Sequence, residues 1–260
     1  MSRTKLNRAA MWAAGGTAIA VLALTGYAVF DGGDGSAAPP DEAGGSPSAG
    51  PSPGPSYSTP QEWTEPERWA VLPRGKETDG NGNEVGFPRS TEGAVAMLAS
   101  VNTTVVEGDR TLVEEQLGIY DSYLSAARRS EDYAERIELQ AREREKDLRR
   151  RMGADVDGPL PQGAYLRSYV VGFQVVEESP GEVSGWLLGR TVARGNERAQ
   201  ESTTYTRTLM AAVWEGGDWK LSLDGTARAA QQAKGEEPGI AAPGDAAFNE
   251  AGWTALREAS

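Results

Sequence analysis

Three side chains in the second half of the sequence could meet inside a fold and do chemistry: Arg167, Tyr169 and Tyr205. A tyrosine hydroxyl beside a guanidinium is a minimal acid–base pair, although the same pair serves equally as a satisfied core hydrogen bond, the reading adopted here. A tuned carboxylate inside a sheet would strengthen the catalytic case. The nearby acids Glu177, Glu178, Glu182, Glu197 and Glu201 fall instead at strand ends or in loops. The chain has no histidine and no cysteine. That removes the usual general base near neutral pH, the usual zinc ligand, a thiolate nucleophile, an iron–sulfur site and any disulfide. Asp79-Gly80-Asn81-Gly82-Asn83-Glu84 comes nearest to a calcium loop, but it lacks the ligand spacing and reads as turn chemistry. No G-x-S-x-G occurs, and Gly185-Trp186-Leu187-Leu188-Gly189-Arg190 is a strand, not a phosphate cradle. We therefore assign no catalytic, cofactor-binding or metal-binding residue and expect no cofactor.

Charge and hydropathy say where such a chain would work. Residues 9–30 carry no charged side chain and follow a head bearing Arg3, Lys5 and Arg8. As a helix this run spans roughly 33 Å, enough to cross a hydrocarbon core of about 30 Å. A cleaved signal peptide would have a shorter apolar run and a small-residue exit. This run is long and ends in Tyr27-Ala28-Val29-Phe30, which favours a retained anchor. Basic residues precede it and Asp31 and Asp34 follow, so residues 1–8 are expected in the cytoplasm and the remainder outside. The net charge is −12, of which residues 1–30 contribute +3, leaving −15 on residues 31–260. A surface that acidic repels phosphate backbones, and Arg149-Arg150-Arg151 is too short a cluster to reverse this, so no direct nucleic-acid binding is expected.

Gly, Pro and Ser make up 20 of the 30 residues from 31 to 60, which predicts a disordered tether. An α+β domain is expected over 61–225, beginning at Trp63 and Trp69, with a loop over 72–87. Ser90-Thr91-Glu92 opens a helix that ends near Asn102, and a second starts at Asp109 with Leu112, Val113 and Leu117 inward. A third is expected from Asp121 to Met152, capped by Gly153, with Ile137 and Leu148 as sparse apolar anchors on a charged surface. From residue 165 the period becomes two. Tyr165, Tyr169, Val171, Phe173 and Val175 fall on one face, interrupted by Arg167. Trp186, Leu188 and Val192 form a second strand and residues 203–214 a third. Glu215-Gly216-Gly217-Asp218 then turns into Trp219, Leu221 and Leu223. Four such strands make a curved antiparallel meander covered on one face by the preceding helices. Residues 226–260 are expected as a partly disordered tail in which Phe248, Trp253 and Leu256 suggest one short docking helix.

Two segments carry a family resemblance. AVWEGGDWKL over 212–221, at the end of a helices-then-meander order, resembles the closing hairpin of the nuclear-transport-factor-two-like (cystatin-like) cone. GFPRSTEGAVAMLA over 86–99 resembles the start of anchored domains on actinobacterial integrative and conjugative elements. With its anchor, the whole resembles the assembly-factor subunit of type IV secretion and conjugation machines, and also membrane proteins associated with lipid-import operons in actinobacteria. The first resemblance implies a noncatalytic scaffold contacting the membrane through residues 9–30 and other envelope or secretion-complex subunits through its sheet or charged helix. Weak self-association through sheet surface is also implied. The second implies an extracytoplasmic small-molecule or lipid-binding domain of an importer or sensor. A cone-type isomerase or hydrolase would need a buried carboxylate.

Overall fold

Helix formation begins where the capping residues ask for it. Ser90 is extended (φ −146°), and its Oγ accepts the amide of Gly93 at 3.1 Å, opening α1 (Thr91–Val101). At Gly93 an added Cβ would stand 2.0 Å from the Pro88 carbonyl oxygen, so only glycine lets the incoming chain lie this close to the helix. Asn102 closes α1 by donating from Nδ2 to the Leu98 carbonyl at 2.8 Å. The computed structural model describes residues 63–257. The anchor expected at 9–30 and the whole tether at 31–60 lie outside them. Among the described residues no helix is long and apolar enough to cross a membrane.

Before α1 come β1 (Trp69–Val71) and a small ribbon of β2 (Glu77–Thr78) and β3 (Glu84–Val85). After it come β4 (Thr104–Glu107) and α2 (Leu112–Tyr123), which Thr111 and Glu114 open with a reciprocal capping box. The expected third helix is split. Leu124 ends α2, a short 3₁₀ turn follows at Ala126–Arg128, and Ser130 caps a new start for α3 (Glu131–Arg151). Tyr120 clamps this break, its hydroxyl donating to the Ser130 carbonyl at 3.0 Å and accepting the Ser130 amide at 2.8 Å. α3 docks through a stripe of Ile137, Ala141, Glu145 and Leu148, while its other sides meet solvent. Within that stripe Glu145 accepts the first α2 amide, that of Leu112, and pairs with Arg149 at 2.6 Å.

The expectation of a four-stranded antiparallel sheet is overturned. The strands β5 (Tyr165–Glu178), β6 (Glu182–Arg194), β7 (Ser202–Glu215) and β8 (Asp218–Leu221) are consecutive and antiparallel, but they are part of a seven-stranded mixed sheet. The reason lies at the free edge of β5, whose backbone groups need partners. β4 pairs with Tyr165–Ser168 there, and β9 (Thr254–Arg257) returns from the end of the chain to pair with Gly172 and Phe173. β9 then carries β1 beside it in parallel, Trp69 opposite Ala255.

Both faces of this sheet are covered. On one, Met97, Leu98 and Val101 of α1 pack with Leu187, Met210, Ala212 and Trp219 of the strands, and with Phe87 and Tyr123. The two segments that carry the family resemblance meet here. The Phe87 amide donates to Asp218 at 3.0 Å and Trp219 Nε1 donates to the Pro88 carbonyl at 2.8 Å. On the opposite, outer face, α4 (Leu223–Gln232) lays Ala229, with Ala233 just beyond it, on Leu209, while α5 (Ala246–Glu250) inserts Phe248 beside Trp253, Leu188 and Ala255. The domain expected to end at 225 therefore continues to Arg257, and the described part of the supposed tail is one of its layers.

A bulge between Val170 and Gly172 corrects the face assignment of β5. Ahead of it Leu166, Ser168 and Val170 are buried on the α1 side, and beyond it Phe173 joins them. Tyr165, Arg167 and Tyr169 consequently point to the outer face, away from Phe173. The sequence alternation had placed these tyrosines with Phe173, because one extra residue reverses every side chain past it.

Candidate functional site

Register decides which side chains meet on the outer face. Opposed residues of antiparallel strands point to the same side. Across β5, β6 and β7 the successive rows are Tyr165–Arg194, Arg167–Val192–Thr203, Tyr169–Arg190–Tyr205 and Gly172–Leu188–Arg207. The covering layer of α4, α5 and the segment between them packs on Leu188, Trp186 and Leu209 and reaches as far as Tyr205. The rows beyond Tyr205 form an open end built almost wholly of arginine and tyrosine.

Arg167, Tyr169 and Tyr205, the three residues singled out from the sequence, thus share the outer face in adjacent rows, the first two at its open end and Tyr205 at the edge of the covering layer. Tyr169 is 37% exposed, whereas Tyr205 is only 8% exposed because the covering layer reaches it. Of the acids, Glu201 alone enters the site, accepting from the Tyr165 hydroxyl. Glu178 accepts from Thr91 at 2.9 Å, Glu182 holds Arg228 at 2.6 Å, and Glu197 packs against Gly163. Glu177 lines a small hollow beside Glu182. The residues that sequence reasoning missed are Arg190, Arg194 and Arg207. A signal was present: in β6, Trp186, Leu188, Arg190, Val192 and Arg194 alternate on one face, and two of those five are arginines.

These cations are held flat over the sheet. Arg167 lies 4.7 Å from the centre of the Tyr165 ring and binds Glu107 through Nε at 2.9 Å and Nη2 at 2.6 Å. Arg194 approaches the same ring at 5.0 Å and donates to the Gly163 carbonyl at 3.0 Å. Arg207 lies 5.2 Å over Trp186 and binds Glu237 and the Pro238 carbonyl. Such stacking covers the apolar floor, so Val192 is only 8% exposed although no helix lies above it. Arg190 differs from the rest. Its guanidinium stacks 5.8 Å from the Tyr169 ring, its Nε is buried without an acceptor, and it has no ion pair among the described residues.

The titration behaviour follows from these contacts. The hydrogen bond to Glu201 raises the Tyr165 hydroxyl above the usual tyrosine value, with burial adding to it. Burial raises Tyr205, partly countered by the charge of Arg190. The hydrogen bond to Glu107 makes the Arg167 guanidinium a still weaker acid. None of these shifts moves a group toward neutral pH, where a proton-transfer role would need it.

The other candidate motif is structural. Burial pushes the Asp79 carboxyl up. The hydroxyl of Ser122 and the amides of Asn83 and Asn81 outweigh it, so that the group stays ionised below the ordinary aspartate range. Asp79-Gly80-Asn81-Gly82-Asn83-Glu84 is therefore a turn nailed to α2. Among the described residues there is no group of three or more potential metal ligands. A separate open groove of about 590 Å³ lies where β4 and β9 diverge along β5, lined by Leu72, Phe87, Ala99, Val170, Leu256 and Arg257 among others.

The geometry defines an α+β domain with an arginine- and tyrosine-rich patch on its outer sheet face. The chain matches no family model, no curated protein and no solved structure.

Proposed function

We propose that this protein is a noncatalytic scaffold of a cell-envelope assembly, held at the membrane through residues 9–30 with its domain on the extracytoplasmic side. One observation carries the reading: the side chains best suited to chemistry share no pocket, Arg167 being held by Glu107 and Tyr165, and Tyr169 by Arg190, on the open outer face, while Tyr205 lies beneath the covering layer. The segment over 86–99, which resembles the start of anchored domains on conjugative elements, and the anchor-tether-domain order support a conjugative, type IV secretion-like apparatus as the assembly. Other subunits of that apparatus are the proposed partners, with weak self-association as an accompaniment. The test is crosslinking and affinity recovery of the full-length protein from its native membrane. A transfer ATPase or channel subunits are the expected companions, and their absence, with unimpaired DNA transfer after deletion, would overturn the proposal.

The groove beside β5 favours a second reading, an extracytoplasmic small-molecule or lipid-binding domain serving an importer or sensor. Its volume falls within the range of common ligand sites. Native mass spectrometry of the membrane-extracted protein tests this directly. A bound small molecule lost on Val170→Trp would favour it over the scaffold.

A further inference from the structure

We propose, resting on the scaffold reading, that the open end of the outer face docks an acidic, extended segment of a partner protein, with Arg190 receiving one of its carboxylates. The argument begins with spacing. At the open end Arg194, Arg167 and Arg190 occupy three successive rows of the sheet, one arginine in each, while Arg207 in the next row is held by Glu237 and Pro238 of the covering layer. Rows on one face of a strand repeat at about 6.8 Å, the interval at which an extended peptide presents every second side chain. A segment lying along β6 with acidic residues at alternate positions would therefore meet one guanidinium per acid.

Charge supplies the second step. Residues 31–260 carry −15, yet this face concentrates cations. A neighbour drawn to it must be locally acidic and must approach this end in preference to the rest of the surface. A uniform anionic plane such as a lipid surface fits less well, because Glu107, Glu201 and Glu237 interleave with the arginines and would face it directly. A patterned polypeptide can place its acids between them.

Partner inventory supplies the third. Arg167 has Glu107, Arg194 has the Gly163 carbonyl and Arg207 has Glu237, so each already has an oxygen. Arg190 has the Tyr169 ring, but no carboxylate pairs with its guanidinium among the described residues. A carboxylate arriving beside the exposed Tyr169 would give that guanidinium a charge-assisted bond. Arg190 is thus the anchor, and Arg167 and Arg194 set the register.

The experiment uses the full-length chain in detergent and a short fluorescein-labelled peptide of alternating glutamate and threonine, with inorganic phosphate and phosphatidylglycerol vesicles as separate arms. Arg190→Gln is expected to weaken peptide binding about tenfold. The double variant of exposed Arg167→Gln and half-buried Arg194→Gln should weaken it as well, which keeps the test sound if Arg190→Gln fails to fold. Arg142→Gln on α3 should leave it unchanged. The Arg190 Nε–H resonance should shift on peptide addition. Equal binding by wild type and both arginine variants would overturn the proposal. So would Arg190-dependent binding of vesicles or phosphate without binding of the peptide. Failure here with envelope subunits still recovered by crosslinking would sink this inference alone, and the converse would sink only the envelope assignment.

Discussion

The covered and open ends of the outer sheet face are made by the same three strands and solve the same problem differently. At the covered end Trp186, Leu188 and Leu209 are buried beneath Phe248, Trp253, Ala229 and Ala233, elements brought from the last part of the chain. At the open end the strands supply their own side chains instead, with Arg167 and Arg194 against the Tyr165 ring beside a buried Val192. Apolar area removed from water is the source of stability at the first end. At the second, exposed ion pairs and cation–ring contacts contribute little each. The lesson is that a sheet end can be tidy without being stabilising, and such an end is free to be used for binding.

That contrast can be broken by mutation. Trp253 is 1% exposed and its Nε1 donates to the Gly239 carbonyl, so Trp253→Ala should lower unfolding free energy by about 3–5 kcal/mol in denaturant titration. Arg167→Ala at the open end should cost at most about 1 kcal/mol. A comparable loss at both would refute the division of labour. A smaller effect is expected at Gly172, where an added Cβ would sit 3.2 Å from the Phe248 ring and 3.3 Å from the Thr254 carbonyl oxygen. Gly172→Val should cost about 1–3 kcal/mol by crowding the covering layer, and thermal melting of the variant measures it.

The smallest effect sharpens the boundary between the two ends. Tyr205 has a raised pKa, so the folded state holds that proton more tightly than the unfolded chain. Its contribution is fully present below the unfolded tyrosine value near 10 and is lost as pH rises through the raised folded value. Ultraviolet titration should show Tyr205 ionising later than a free tyrosine, and Tyr205→Phe should remove that late component. For Tyr165, whose raised value comes first from Glu201, Glu201→Gln should bring ionisation earlier with stability at neutral pH changed by no more than about 0.5 kcal/mol.

Local signals in the sequence were dependable where one short stretch contained the whole cause. Ser90 and Asn102 bound α1 as their side chains suggest, and the Gly216-Gly217 turn between β7 and β8 has both glycines at positive φ, 66° and 90°, as its hairpin signature implies. Where the cause lay elsewhere in the chain, the signal was weak. β1, β4 and β9 have three or four residues each, and they are strands only because distant backbone is there to pair with them. The helix break at Leu124 depends on Tyr120 reaching Ser130, and the facing of Tyr165 and Tyr169 depends on one bulge. At the site, Arg167, Tyr169 and Tyr205 were legible as a group by type. Arg190 and Arg194 joined them only when register set β6 between β5 and β7.

The parallel ladder of β1 and β9 has a mechanical meaning. Trp69 opens the first strand and Arg257 closes the last, and the two side chains stack at 4.5 Å. Because the two strands run parallel, the chain enters the ladder at Trp69, opposite Ala255, and leaves it at Arg257, opposite Val71. A pull on the first strand must also release Thr64, Glu67 and Arg68 from Gly244, Asn249 and Gly252, whereas a pull on the last strand loads the ladder directly. The arginine-rich end begins one row farther along β5, at Tyr169 and Arg190.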